Sequence, residues 1–559
     1  MSYLELAIII LIIILITKPL GIYLYKTANY EDISNGGFFN FADNFIYKII
    51  GVDKTIGMGW REYSKAFLIT NVIMMLAAFI ILLIQGALPY NPTGAHGMNL
   101  ALAFNTAISF MTNTNLQHYA GESGITYLSQ MIIIVFLMFT SAASGIATAF
   151  AIIRGIAQKR DSLGNFYVDF IRIITRVLLP FSIVATLILV SQGVPQTLGK
   201  VYAAKTLQGG TQTILTGPIA VLESIKHLGT NGGGFFAANS SHPFENPTFF
   251  TNIIEILSMM MIPAALIYTF GLMVKNKKHS IVLYVSLMII FIGLTSLAIF
   301  SETHGGKPYT NMVLNNSLGN MEGKETRFGV GDSAIFSGVT TAFTTGSVNS
   351  MHDSFTPLGG AVPLTFMMLN TIFGGDGAGI ENIILYAILT VFITGLMVGR
   401  TPEYLGNKIE TREIKLAALA ILIHPLLILF ASAITIVLGL AGAHITNPGF
   451  HGLTQMIYEF TTSAANNGSE FAGFNGNTTY MNTLTGIIML LGRYVTIVLL
   501  IAIAGSMARK TKLEPSPGTF RTDNALFGVL FISIIMIVGA LTFFPALILG
   551  PISEFLSLL

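Results

Sequence analysis

The sequence predicts an all-α polytopic membrane protein of ten transmembrane helices, in which four repeats of span, half-helix, filter and span surround a pore. Three observations carry that prediction. Of 559 residues, 53% are hydrophobic and 10% charged, with a mean hydropathy of +0.70, against roughly 25% charged residues in soluble domains. Ten apolar stretches have about the 20 residues needed to cross a bilayer core. Four short segments rich in Thr, Asn and Gly interrupt the apolar pattern at matching positions.

The spans fall near 4–24, 64–87, 126–152, 171–192, 250–274, 281–300, 361–399, 416–441, 483–507 and 524–548. The first has no basic region before it and no small-residue cleavage site after it, so it reads as a retained span and not a signal peptide. The net charge is only +2, but its placement is informative. Basic residues gather after alternate spans: Lys26, Lys48, Lys54, Arg61 and Lys65, then Arg154, Lys159, Arg160 and Arg172, then Lys275, Lys277 and Lys278, then Arg400, Lys408, Arg412 and Lys415, then Arg509, Lys510, Lys512 and Arg521. The positive-inside rule makes those loops cytoplasmic, both termini extracytoplasmic, and the connections that hold the polar segments outward-facing.

Within the outward connections, short apolar runs near 99–111, 216–228, 332–344 and 451–464 are too short to cross and read as re-entrant half-helices. Asn99, Asp332 and Thr454 are expected to cap three of them. The chain then divides into an extra N-terminal helix and cytoplasmic loop (1–62), pore repeats at 63–153, 170–275, 280–400 and 415–508, and an extra C-terminal helix (520–559). Irregular backbone is tolerable at membrane depth only where protein surrounds it or it lines a wet cavity, and four repeats about an axis supply that cavity.

The polar segments are Met111-Thr112-Asn113-Thr114-Asn115, Gly229-Thr230-Asn231-Gly232-Gly233-Gly234, Thr344-Thr345-Gly346-Ser347-Val348 and Ala465-Asn466-Asn467-Gly468-Ser469. One such cluster is ordinary turn chemistry. Four in matching positions are the signature of a repeat. Their donors are neutral oxygens, and the converging half-helix C-termini carry partial negative charge, which together suit a dehydrated monovalent cation. No Asp or Glu lies in the turns, which argues against a calcium or magnesium cage. The absence of cysteine excludes disulfides, thiolate metal sites and cysteine nucleophiles.

The seventh span is interrupted by Gly374-Gly375-Asp376-Gly377-Ala378-Gly379, and a helix broken beneath a filter can gate it. Charges inside spans are costly and are weighed as functional. Arg493 is assigned to the ion path or a partner interface, and Arg400 to the ion path or an inner anchor. Glu255, and Glu223 with Lys226 and His227, read as structural pairs, and His424 before Pro425 as packing at a kink.

Thr112-Asn113-Thr114-Asn115-Leu116-Gln117, Gly229 to Phe236, Asn239 to Thr248 and Ser463 to Ser469 give the chain a close resemblance, over nearly its whole length, to KdpA, the potassium-binding, channel-like subunit family of the bacterial Kdp potassium-transporting ATPase. The resemblance implies a K⁺ selectivity filter at Thr112, Asn113, Thr114, Thr230, Asn231, Gly232, Thr344, Thr345, Gly346, Asn466, Asn467 and Gly468, with Gln117 and Asn239 at its edge. Thr345 stands where such proteins often have Cys, which puts its side-chain role in question but not a role for its backbone. The resemblance further implies an intramembrane obstruction at Gly374, Gly375, Asp376 and Gly377, with ions leaving sideways. It implies K⁺ as the bound substrate and no organic cofactor, and a location in the bacterial plasma membrane. The implied partners are a P-type ATPase subunit (KdpB-like) that hydrolyses ATP, two single-span accessory subunits (KdpC-like and KdpF-like) and the lipid bilayer, with no nucleic acid.

Val52-Asp53-Lys54-Thr55-Ile56-Gly57 is similar to the phosphorylated loop of P-type ATPases, but lacks the Gly directly after Thr and any soluble catalytic domain around it. No loop could house a nucleotide domain, so the chain is expected to carry no catalytic residues. Two rival readings remain. A self-sufficient K⁺ channel or ion-coupled symporter of the same superfamily fits the fourfold repeat equally well, whereas an intramembrane enzyme lacks paired carboxylates or a Ser/His constellation at pore depth.

Overall fold

The structure is a computed structural model that describes residues 2–30, 37–157, 161–198, 201–305, 318–514 and 519–559. Lys159 and Arg160 lie outside the described residues. Among the described residues, ten helices are long and apolar enough to cross a bilayer: Ser2–Ala28, Trp60–Ala87, Tyr127–Ala157, Phe166–Ser191, Phe249–Met273, Lys277–His304, Ala378–Met397, Thr411–Val437, Thr479–Ala508 and Ala525–Ser557. They are the first to tenth spans below.

Half-helices Leu100–Met111, Ile219–Leu228, Gly329–Ala342 and Phe450–Ala465 fall between the second and third, fourth and fifth, sixth and seventh, and eighth and ninth spans. Each ends where a polar segment begins. Asn99 caps the first, its side chain accepting from Leu102 N at 2.9 Å. The other two expected caps are not caps. Phe328 and Gly449 hold those positions. Asp332 sits inside the first turn, where a carboxylate faces the positive helix end, and Thr454 Oγ1 donates back to Phe450 O at 3.0 Å.

Burial separates the two spans of each repeat. In the most apolar window, 78%, 72% and 67% of the third, fifth and seventh spans is buried, against 28% of the second and eighth. In each repeat the span that follows the polar turn is the more buried of the two, by the least margin in the third and fourth repeats, where the sixth and ninth spans are 44% and 50% buried. Composition explains the close packing of the third span, because the run from Ser141 to Ala151 is mostly Ala, Ser, Gly and Thr and is buried throughout. Small residues let helix backbones approach where lipid offers no hydrophobic drive for association.

The seventh span is divided as expected. Pro357–Leu369 forms a short helix and ends at Asn370 in the left-handed conformation, and Ala378–Met397 then completes the crossing. Two further elements were not anticipated. Helix Phe38–Ile50 lies in the first basic connection, with Phe41, Phe45 and Ile49 exposed, the pattern of a helix lying in the membrane surface. Its Asp43 pairs with Arg176 at 2.7 Å. Strands Tyr202–Lys205 and Thr211–Ile214 form an antiparallel hairpin ahead of the second half-helix.

Candidate functional site: a ring of four polar turns

The four turns share one backbone. The residue at or just after the end of each half-helix is left-handed, and so is the residue two further on: Asn113 and Asn115 (φ 63° and 56°), Thr230 and Gly232 (45° and 81°), Thr344 and Gly346 (48° and 94°), Asn466 and Gly468 (55° and 98°). The residue between donates its amide to the fifth residue before it in every case. Thr114 N bonds Ser109 O at 2.9 Å, Asn231 N bonds Lys226 O at 2.8 Å, Thr345 N bonds Thr340 O at 2.7 Å, and Asn467 N bonds Thr462 O at 2.9 Å. This equivalence sets Asn113-Thr114-Asn115 beside Thr230-Asn231-Gly232, one residue later than the first segment read from sequence, and brings in Asn115. Thr112 then corresponds to Gly229, Phe343 and Ala465, the residues that close the half-helices.

The turns touch in cyclic order. A Cβ on Gly232 would collide with the Thr345 carbonyl oxygen, one on Gly346 with that of Asn467, and one on Gly468 with that of Thr114. The remaining seam, between the first and second turns, is closed by side chains. Asn113 Nδ2 donates to Thr230 O at 2.8 Å, and Asn115 Nδ2 to Gly232 O at 3.2 Å. Glycine is required at three seams for both reasons at once, a positive φ and no room for a side chain.

Side chains in the ring are largely engaged with neighbours. Asn466 Nδ2 donates to Thr114 Oγ1 at 2.9 Å, and Asn467 Nδ2 to Thr340 O at 2.9 Å. Among the described residues, no hydrogen bond ends on the carbonyls of Thr114, Asn231, Thr345 or Asn467. Buried carbonyls are normally paired, and a ring of unpaired ones at the negative ends of four half-helices can replace water around a cation.

The edge residues hold the ring in register. Gln117 Oε1 accepts from Gly234 N at 2.7 Å while its Nε2 donates to Gly234 O at 3.2 Å. Asn239 Nδ2 donates to Gly233 O at 2.8 Å, and its Oδ1 accepts from Ser347 Oγ at 3.1 Å. Behind it, Lys226 Nζ reaches Asn239 Oδ1 at 2.9 Å, Glu223 at 2.6 Å and Glu245 at 2.8 Å, with the lysine and both carboxylates fully buried. His227 bridges Ser347 Oγ at 2.9 Å and Glu255 at 3.2 Å.

Beneath the ring lies the break in the seventh span. Asp376 N donates to Thr230 Oγ1 at 2.8 Å, Gly374 N to Ala342 O at 2.9 Å, and Gly375 packs against Thr344. Gly374 and Gly377 are left-handed (φ 69° and 86°), and Gly377 presses on the backbone of Gly145. The Asp376 carboxylate is buried and accepts no hydrogen bond among the described residues. Arg493 rides on a π-helical turn of the ninth span, Leu491–Val495, beside Gly145, and interacts electrostatically with Glu381 and Asp376. Asn466, Arg493, Glu381, Asn382 and His424 line a cavity of about 60 Å³ there, room for a few waters. Glu381, which accepts from Thr148 Oγ1 at 2.7 Å, was not singled out from sequence. Arg400 is not part of this group. It is exposed beyond the far end of Ala378–Met397, about 30 Å along a helix of that length. Asp53 caps a local turn, accepting from Thr55 N and Oγ1 at 2.8 and 2.7 Å.

Fold and ring together define an all-α polytopic membrane protein in which four half-helices end in one ring of polar turns. The chain belongs to the family described as KdpA: Potassium-transporting ATPase A subunit, whose model matches residues 7–556. Three similar curated proteins bear the name potassium-transporting ATPase potassium-binding subunit. That from Caldanaerobacter subterraneus is 64% identical over 558 residues, covering 100% of both chains. That from Geobacillus kaustophilus is 52% identical over 98% of both, and that from Clostridium acetobutylicum 50% identical over 100% of both.

Proposed function

We propose that this chain binds and selects K⁺ from the extracytoplasmic side in the four-turn ring, and passes it to a P-type ATPase partner for ATP-driven uptake. The observation that carries this reading is the closed ring of equivalent turns, with carbonyls that accept no hydrogen bond among the described residues. Thr112, Asn113, Thr114, Thr230, Asn231, Gly232, Thr344, Thr345, Gly346, Asn466, Asn467 and Gly468 form the filter, joined by Asn115, with Gln117 and Asn239 at its edge. The repeats 63–153, 170–275, 280–400 and 415–508 each supply one wall, and the helices in 1–62 and 520–559 flank them.

The loop Gly374, Gly375, Asp376 and Gly377 closes the direct way inward, since its backbone bonds to Thr230 of the second turn and to Ala342 of the third half-helix. A cation then moves sideways into the cavity beneath Asn466, where Glu381 attracts it and Arg493 limits its dwell. Hydrolysis of ATP falls to a KdpB-like subunit, with KdpC-like and KdpF-like chains completing the complex in the plasma membrane. K⁺ is the substrate, and no organic cofactor takes part. Uptake of Rb⁺ by K⁺-uptake-deficient cells tests the assignment. Vanadate-sensitive uptake is expected only when the ATPase partners are co-expressed. Uptake by the chain alone would make it a passive channel or symporter.

A further inference from the structure

At the seam between the fourth and first turns, three metal-capable side chains converge outside the ring. His118 Nε2 lies 3.2 Å from Glu459 Oε1 and 3.7 Å from Glu470 Oε1. His118 follows Gln117 directly, Glu470 follows Ser469, and Glu459 projects from the fourth half-helix. The His118 and Glu459 side chains are 1% exposed, whereas Glu470 is 28% exposed and gives the cluster an opening.

The tautomer is set by the other ring nitrogen. His118 Nδ1 lies 2.8 Å from Asn482 Oδ1, and the Asn482 amide is oriented by its Nδ2 donating to Asn477 Oδ1 at 3.1 Å. With Nδ1 set against that oxygen, Nε2 is the ring nitrogen that faces the two carboxylates. Glu459 Oε2 and Glu470 Oε1 are buried without a hydrogen-bond partner among the described residues. Outer oxygen partners of this kind fix metal-ligating imidazoles.

We propose that His118, Glu459 and Glu470 form a divalent transition-metal site, of zinc class, that ties the first polar turn to the fourth. The spacing fits the chemistry. Ligands at zinc distances of about 2.0–2.2 Å stand about 3.3 Å apart in a tetrahedron, close to the separations found, and water takes the fourth position as in an open site. One imidazole and two carboxylates suit zinc, whereas Ca²⁺ needs about six to eight oxygens and Mg²⁺ a near-octahedral set. The site is separate from the neutral-oxygen ring, so zinc binding is read without K⁺ and stands or falls independently of the filter assignment.

The full-length chain in lipid nanodiscs, titrated with ZnCl₂ against a fluorescent chelator, tests the proposal. One equivalent is expected to bind, with zinc X-ray absorption showing one imidazole and carboxylate oxygens. His118→Gln and Glu470→Gln are expected to weaken binding at least tenfold. Glu470 lies at the opening of the cluster, so its variant keeps the test valid if His118→Gln fails to fold. Parent-like zinc affinity in a folded Glu470→Gln variant, or a bound zinc without imidazole in its spectrum, overturns it.

Discussion

Gly232 shows how much one position in the ring carries. Its φ of +81° is one that other L-residues adopt at a cost of about 1–2 kcal/mol, and a Cβ there would strike the Thr345 carbonyl and Gly346 of the next turn. Gly232→Asp adds a charge to both faults. Apparent K⁺ affinity is expected to fall tenfold or more, with weaker discrimination between K⁺ and Rb⁺, as read by competition uptake in the assembled pump. Unchanged affinity would remove Gly232 from the filter. Asp53 is the contrasting residue, because its carboxylate is spent on Thr55 and is fully exposed. Asp53→Asn is expected to leave uptake near normal, and loss of uptake would reopen a phosphorylation role for that loop.

Among the elements, the fourth half-helix is anchored at its outer end by His451, whose Nε2 meets Asp353 at 2.8 Å and whose Nδ1 meets Glu554 at 3.0 Å. Burial alone would lower the His451 pKa, but bonds to the two carboxylates carry it up to about 9. The unfolded value is about 6.5. The native state thus holds this proton more tightly, and its contribution to stability is complete below about pH 6.5, declines as pH rises, and is lost above about 9. The melting temperature of the chain should fall across that window, and His451→Gln should flatten the fall. An equal slope in the variant would show that the anchor contributes nothing. Legibility in the sequence followed the range of the interaction. Ten spans and four half-helices were visible because hydropathy and length are local. Caps at Asp332 and Thr454 were misplaced because Phe328 and Gly449, which show no capping side chain, begin those helices. Asn115 was left out of the first turn because, without the glycine of its three counterparts, it hides the register that the shared φ pattern and amide bonds of the four turns reveal. The Lys226, Glu223 and Glu245 cluster was legible in part, since Glu245 joins it from a separate loop.

For the whole molecule, the ring is a joint product of four separated stretches of chain, and nothing smaller contains a complete site. Three seams depend on glycine against carbonyl and the fourth on Asn113 and Asn115, so the turns must assemble together, with their unpaired carbonyls brought close at a cost in repulsion. A cation that fits the ring relieves that repulsion in the folded state and finds no equivalent in the unfolded one. Binding to the native state alone stabilises by RT ln(1 + [L]/Kd), about 2.7 kcal/mol when K⁺ is at 100 times its Kd. The isolated full-length chain in detergent or nanodiscs should therefore melt a few degrees higher in K⁺ than in choline at equal ionic strength. Rb⁺ should act similarly and Na⁺ much less. Gly232→Asp should lose most of the K⁺-dependent rise while retaining a cooperative transition. Because no ATPase partner is present, this measurement separates selection by the ring from the energy source. A melting temperature indifferent to K⁺ would mean that the ring is not a preformed site in this chain, and that partners are needed to complete it.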